Sequence, residues 1–306
     1  MRAVIIRRFG GPEVLELAEI AIPEPGPGQV RVRVAAAAVN PVDVQTRTGA
    51  LTGAGILAPR PAIGLGWDVS GTIDALGPGV SGFAAGDQVI GLCDRPGLPA
   101  KTQADFSVLD ATALAALPSD TDLVSAATLP LNALTAAQAL DLVPVAAGQT
   151  LLVTGATGAV GGYAVELAAR AGVRVVTAAA NRDADLVRSL GADVIVPRGT
   201  DLAAAVRAAV PGGVDAALDA ANLGVRALDA VRGGGAYVGV LGATPPPLRG
   251  IRVASVWIRA DGPRLATLAR LGLTPRVAGT LPLTEVTAAH QRLEAGGMRG
   301  RLVLVP

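Results

Sequence analysis

Residues 154–162 read Thr-Gly-Ala-Thr-Gly-Ala-Val-Gly-Gly, directly after the apolar run Leu151-Leu152-Val153 and before the alanine-rich stretch GGYAVELAARAG. Gly155, Gly158 and Gly161 stand three apart. Between a strand and a helix, glycines so placed allow a tight turn, a close approach of backbone to a pyrophosphate, and close helix–strand packing. The free N–H groups of the helix N-terminus then face the anion. The pattern predicts a dinucleotide loop in which Gly155, Thr157, Gly158, Ala159, Val160 and Gly161 meet the cofactor. Leu241, in the later segment AYVGVLG, is counted among the same contacts.

The residues that are missing narrow the chemistry further. A catalytic zinc needs about three protein ligands drawn from Cys, His and carboxylates, and the chain holds one cysteine, Cys93, and one histidine, His290. A zinc site is therefore not expected. T-G-A-T-G also opens short-chain reductases, but those use a Tyr-x-x-x-Lys acid pair. The two tyrosines, Tyr163 and Tyr237, and the one lysine, Lys101, do not have that spacing. Without metal, the charge delivered by hydride transfer must be spread by the acceptor itself. Quinones and α,β-unsaturated carbonyls do this; simple ketones do not.

Length and composition fit such an enzyme. A chain of 306 residues accommodates two modest domains. Aromatics are 2% of residues, so the core must be built from Ala, Val and Leu. The formal net charge of +1, with no basic block, argues against nucleic acid or an anionic membrane as partner. The lone cysteine forbids an intrachain disulfide. With no leader-like opening and no apolar run of the roughly 18 residues that span a bilayer, the expected location is the cytoplasm.

The elements that must position these residues are of two kinds. MRAVIIRRFG, PEVLELAEI, QVRVRVAAAAVN, WDVSGTIDAL, GDQVIG and ADFSVLD carry apolar residues at period two between Gly/Pro clusters, which reads as a β-rich domain. After about Pro118, PSDTDLVSAATLP offers Ser119 as a helix N-cap and NALTAAQALDL has helical spacing. Short apolar runs then alternate with helices, as in a parallel sheet covered on both faces.

In order along the chain, FGGPEVLEL…PEPGPGQVRVRVAAAAVNPVD, GWDVSGTIDALGPGVSGFAAGDQVIG, LPLNALTAAQAL, LLVTGATGAVG, VRSLGAD and RGRLVLVP resemble the quinone oxidoreductase (zeta-crystallin-like) branch of the medium-chain dehydrogenases/reductases. The resemblance implies an α/β fold: a Rossmann doubly wound parallel sheet, residues 126–260, inserted in a GroES-like β-rich catalytic domain of residues 1–125 and 261–306. The cofactor would lie in the cleft between them. Zinc-using relatives carry their ligands where this chain has Asn40, Trp67 and Pro130–Leu131. Asp68, beside them, reads as a carboxylate with no partner.

The resemblance also implies roles. Asn40 and Asp43, in NPVD, would lie beside the nicotinamide, with Asn40 bonding the acceptor carbonyl or the ribose, or serving only as a turn starter. Asp43 would pair with Arg301 near the pyrophosphate. Thr135 would touch the nicotinamide or bond back into its own helix. Residues 50–57 lack the tyrosine that donates a proton in enoyl relatives, and Arg198 replaces a tyrosine that packs near the adenosine phosphate.

The second Rossmann strand, VRVVTAAA, is followed by Asn181 and Arg182 rather than an acid. An arginine there suits a 2′-phosphate, so NADPH is the expected cofactor. His290 and Lys101 read as solvated surface residues, Cys93 as a small hydrophobe, and Trp67 as a wall of the cleft or a core residue. Residues 45–62 and 92–103 are expected to line the substrate pocket. GIRVASVWIRA resembles a dimer edge, so a homodimer is expected. The competing reading is an NADPH-binding sensor or interaction protein of the same fold with little turnover.

Overall fold

The computed structural model describes residues 1–240, 242 and 244–306. Leu241, expected to meet the cofactor, lies outside the described residues. The chain forms two compact units, residues 1–131 with 259–306, and residues 132–258.

In the first unit, strand Gln29–Val39 is the organising element. Val30, Val32, Val34 and Ala36 are buried at every second position, so one face of the pleat supplies the core. It pairs antiparallel with Asp68–Leu76, Phe106–Asp110 and Arg301–Val305. Gln88–Leu92 and Leu114–Ala116 extend the sheet beyond Asp68–Leu76, and Val277–Pro282 extends it beyond Arg301–Val305. Val30, Val32, Val34, Val69, Ile73, Val89 and Leu109 fill the space beneath, with Cys93 buried among them as a small apolar residue.

In the second unit six parallel strands take the order 3-2-1-4-5-6 in chain numbering. The central strand Thr150–Thr154 is buried at every residue, as a strand covered on both faces must be. Its neighbours are Arg174–Ala179 and Val214–Asp219. Val194–Pro197 forms one edge and Arg252–Ser255 the other. Aliphatic residues fill the core that Val206, Val231 and Ile251 share with the sheet, as the scarcity of aromatics requires.

One local expectation is corrected. Helix Leu123–Ala126 is capped by Asp122, whose side chain accepts the Val124 N–H at 3.0 Å, and not by Ser119. Both residue types cap well; the chain between Ser119 and Asp122 turns before the helix begins, which leaves the aspartate at the boundary. Among the described residues no helix is long and apolar enough to cross a membrane.

Candidate functional site

The glycine loop occupies the place its spacing predicts, between strand Thr150–Thr154 and helix Ala159–Arg170, whose N-cap is Gly158. Gly155 has φ of +66°, a left-handed conformation that a side chain would strain. A Cβ on Gly161 would lie 2.2 Å from the Gly155 carbonyl oxygen, so the first turn of the helix packs directly on the loop backbone. Ala159 and Val160 are buried in that turn. The amides at the helix start are thus presented as an anion site.

Two arginines stand where the neighbouring strands end. Strand Arg174–Ala179 is followed by a short helical turn, Asn181–Asp183, and Arg182 projects from it with 77% of its side chain exposed. The adjacent strand ends at Pro197, paired with Ala179. The next residue, exposed Arg198, donates its backbone N–H to the Ala179 carbonyl at 3.0 Å. Arg182 and Arg198 therefore follow the ends of two paired strands. Asp183, an acid passed over in the sequence reading, is buried just beyond Arg182. Thr135 is buried in helix Pro130–Leu142.

Beneath the glycine loop lies a buried carboxylate that the sequence pattern gave no reason to single out. Asp219 accepts the Thr154 hydroxyl at 2.5 Å, the Gly224 N–H at 2.8 Å and the Tyr237 hydroxyl at 2.8 Å. It fixes the chain that continues from strand Val214–Asp219, and the backbone of Ala220 lies against Gly155. Burial, then the hydrogen bond to Asp219, raise the Tyr237 phenol above its usual range, so Tyr237 positions the loop and is not an available acid.

The first unit carries the second polar cluster. Asn40 caps helix Pro41–Arg47, and its backbone N–H donates to the Asp43 carboxylate at 2.8 Å. The other Asp43 oxygen accepts the Gly66 N–H at 2.9 Å. The Asn40 amide donates to Asp68 at 2.6 Å, and its oxygen accepts from Arg301 at 3.0 Å. Asp68 also accepts the Leu131 N–H. Asn40, Asp43 and Asp68 are all fully buried. Desolvation pushes Asp43 up to about 6, against the pull of the Asn40 N–H, the Lys101 charge and the Gly66 N–H. It pushes Asp68 up to about 7, with the Asp43 charge adding to the rise.

Two expectations change here. Asp43 and Arg301 form no direct ion pair: both carboxylate oxygens are taken by backbone N–H groups, and Arg301 reaches Asn40 instead. Asp68 is not partnerless, because the strand it opens delivers it to Asn40 and Leu131. Asn40 is thus a relay between an acid and a base, with both ends of its amide engaged inside the protein.

Two residues read as solvated are buried. Lys101 is 3% exposed, with its ammonium nitrogen 3.8 Å from the centre of the Trp67 ring. The segment after Leu98 folds back along residues 64–66, bonding Gly64 N–H to Leu98 O and Gln103 N–H to Leu65 O, and this carries Lys101 inward. Gly66, at φ of +98°, has no room for a Cβ because Thr102 and Gln103 press on it. Trp67 is itself 1% exposed. His290 is also fully buried, since Val286, Ala289 and His290 form the inward stripe of helix Val286–Ala295.

These residues do not fit a catalytic zinc. By the sequence resemblance, Asn40, Trp67 and Pro130–Leu131 stand where zinc-using relatives place ligands. The nearby carboxylates spend their oxygens on N–H groups, and a lysine ammonium sits over Trp67. Among the described residues no three of His, Cys, Asp and Glu are grouped as metal ligands. A divalent ion there would face a cation with too few free donors.

Comparison with known proteins agrees with this architecture. The alcohol dehydrogenase GroES-like domain matches residues 26–118, and the zinc-binding dehydrogenase domain matches residues 190–304. The chain is 30% identical over 319 aligned positions to an NADPH-dependent alkenal/one oxidoreductase of the Arabidopsis thaliana chloroplast, covering 100% of this chain and 80% of that one. Among solved structures it is similar to the quinone oxidoreductase of Coxiella burnetii, with TM-score 0.89, 28% identity, and coverage of 100% and 99%. It is also similar to a protein described as an NAD-dependent alcohol dehydrogenase, with TM-score 0.87, 32% identity, and both chains covered in full. With its glycine loop, its strand order and its match to these proteins along its whole length, the chain belongs to the medium-chain dehydrogenase/reductase superfamily, among the members resembling quinone oxidoreductases.

Proposed function

We propose that this protein is an NADPH-dependent reductase of quinones or other α,β-unsaturated carbonyls that works without metal. The observation that carries the reading is the donor set of the first unit. By the resemblance, Asn40, Trp67 and Pro130–Leu131 stand at the positions of zinc ligands, and each oxygen of Asp43 and Asp68 already accepts an N–H. With no Lewis acid, the acceptor must delocalise the electrons it receives, and conjugated carbonyls do. The relatives named for alkenals and quinones support the same substrate class.

Reduced nicotinamide would supply the hydride. The residues suited to hold it are Gly155, Thr157, Gly158, Ala159, Val160 and Gly161 around the pyrophosphate, with Asn181, Arg182 and Arg198 for the adenosine ribose phosphate. Two exposed guanidinium groups after paired strands suit a dianionic 2′-phosphate better than a bare hydroxyl. Thr135 would meet the nicotinamide, and Arg301 would lie near the pyrophosphate.

Purified protein should oxidise NADPH steadily with 2-cyclohexenone or 1,4-benzoquinone. Binding of NADPH with negligible turnover would replace the reading with that of a sensor. Arg182→Ala and Arg198→Ala should each weaken NADPH binding about 10-fold and leave NADH binding unchanged. Equal binding of the two nucleotides by wild type and both variants would remove the 2′-phosphate assignment.

Among the described residues, the edge strand of the second unit's sheet, Arg252–Ser255, pairs only with Val231–Gly239. An unpaired edge invites another strand, and we place a second copy of the chain there. Light scattering should return twice the 30.4 kDa of one chain; a monomer at micromolar concentration would contradict this. The lone, buried Cys93 suits a reducing compartment such as the cytoplasm.

A further inference from the structure

Lys101 is the only lysine in a chain whose other basic residues are all arginine. Its aliphatic stem is buried and its ammonium lies against the face of Trp67, an arrangement that holds a cation without neutralising it. Among the described residues no carboxylate pairs with the ammonium and no acceptor takes a hydrogen bond from it. The Thr102 hydroxyl and both amide atoms of Gln103 are buried without partners.

Buried donors are nearly always satisfied, because an unmade bond costs the full desolvation of the group. The Lys101 nitrogen is not among the fully buried atoms left without a partner, so it reaches the surface; beside Asp43 and Asp68, whose oxygens each accept an N–H, it is a donor open to a ligand. Its place is informative. By the sequence resemblance, Trp67 stands at the position of a zinc ligand in metal-using relatives, and the Lys101 charge lies against that residue.

We propose that Lys101 is a catalytic residue, its ammonium hydrogen-bonding the carbonyl oxygen of the conjugated acceptor and protonating the enolate that reduction creates. The proposal rests on the reading of the protein as a reductase of conjugated carbonyls. A bound reduced nicotinamide would supply a hydride to the β-carbon, and the C=C pair would then shift toward the carbonyl and leave its oxygen anionic. The Nζ–H bond then breaks as the O–H bond forms, giving an enol and a neutral amine. Water returns the proton to the amine, and the enol tautomerises to the saturated ketone.

Asp43 and Asp68 cannot take this role with their oxygens engaged, and no tyrosine stands in residues 50–57. The groups acting electrostatically on Lys101 are Cys93, Asp43, Asp94 and Asp68. Burial lowers its proton affinity and these four raise it, so it gives up a proton more readily than a solvated lysine.

The test compares wild type with Lys101→Met and Lys101→Arg. Lys101→Met should lower kcat with 2-cyclohexenone on the order of 100-fold. With 1,4-benzoquinone, whose reduced oxyanion is a weaker base, the loss should stay below about tenfold. NADPH binding should be unchanged in both variants. Lys101→Arg, which keeps the charge but does not release its proton, should recover quinone turnover more fully than enone turnover.

A second readout needs no turnover. 4-Nitrophenol bound to the wild-type protein with NADP⁺ should show its yellow anion at a pH where it is protonated in water, and Lys101→Met should abolish this. Should Lys101→Met fail to fold, Lys101→Arg with the same probe decides, since a retained cation must still ionise it. Enone turnover within threefold of wild type in Lys101→Met, or unaltered ionisation of the probe there, would overturn the proposal. Absence of NADPH oxidation by wild type with either acceptor would instead overturn the reading beneath it, and the nitrophenol comparison would still report on Lys101.

Discussion

Gly161→Ala should raise the dissociation constant for NADPH on the order of 100-fold while leaving the fold intact. The added methyl would stand 2.2 Å from the Gly155 carbonyl oxygen and 2.5 Å from its carbon. Both contacts are backbone, so no side chain can rotate aside. The helix must withdraw from the loop, and overpacking of this kind costs about 1–3 kcal/mol. Here the strain falls on the amides proposed to hold the pyrophosphate. Gly158→Ala is the internal comparison, because its Cβ would meet only the Gly155 oxygen at 3.2 Å, and its effect should be several-fold smaller. Titration of NADPH fluorescence measures both, with thermal unfolding as the control. Equal affinities for wild type and Gly161→Ala would mean that this loop does not bind the pyrophosphate.

Acidification should destabilise the first unit through His290. The imidazole is fully buried, neither ring nitrogen has a hydrogen-bond partner, and the nearby Arg47 is a buried cation paired with Glu294 at 2.5 Å. Burial, then the Arg47 charge, depress His290 to about 4 from an ordinary 6.5. The folded protein therefore binds this proton less readily than the unfolded chain. The stability is fully present above pH 6.5 and is lost as pH falls toward 4, amounting to about 3 kcal/mol.

Asp43 and Asp68 act oppositely. Their raised values mean that their contribution is present below the ordinary carboxylate range and is lost as pH rises toward about 6 and about 7. The effect of His290 must accordingly be read as a difference. Urea unfolding of wild type and His290→Leu at pH 7 and pH 4.5 should show the variant losing about 2–3 kcal/mol less on acidification. Parallel losses would show that the histidine takes its proton without cost.

The nucleotide-binding half of the molecule is largely readable from the sequence, because its determinants are local. Three glycines at fixed spacing, an apolar strand before them and a helix after them are contiguous. The burial of His290 was also open to inspection: with Val286, Ala289 and Leu293 it completes the i, i+3, i+4, i+7 stripe of an inward helix face. Residue type misled where spacing would have informed.

The cluster of the first unit was less accessible, because its contacts join segments far apart in the chain. Arg301 and Asn40 are separated by 261 residues, and Asn40 and Asp68 by 28. Pairing Asp43 with Arg301 missed Asn40, whose backbone N–H meets Asp43 and whose amide oxygen meets Arg301. Nothing local marks Asp219 as the support of the glycine loop. Lys101 gave one signal, its solitude among arginines, and the loop around it gave no periodicity from which inward placement followed.

The central claim, that reduction here depends on a conjugated acceptor and on no metal, meets its most direct test in one matched pair. One solved neighbour is described as an alcohol dehydrogenase, so the competing chemistry is a simple carbonyl. NADPH oxidation should be followed with 2-cyclohexenone and with cyclohexanone, on protein stripped by chelation and checked by elemental analysis. Full activity toward the enone is expected without metal, and at least on the order of 100-fold less toward the saturated ketone. Turnover of cyclohexanone at a comparable rate, or enone activity that appears only when zinc is restored, would contradict it.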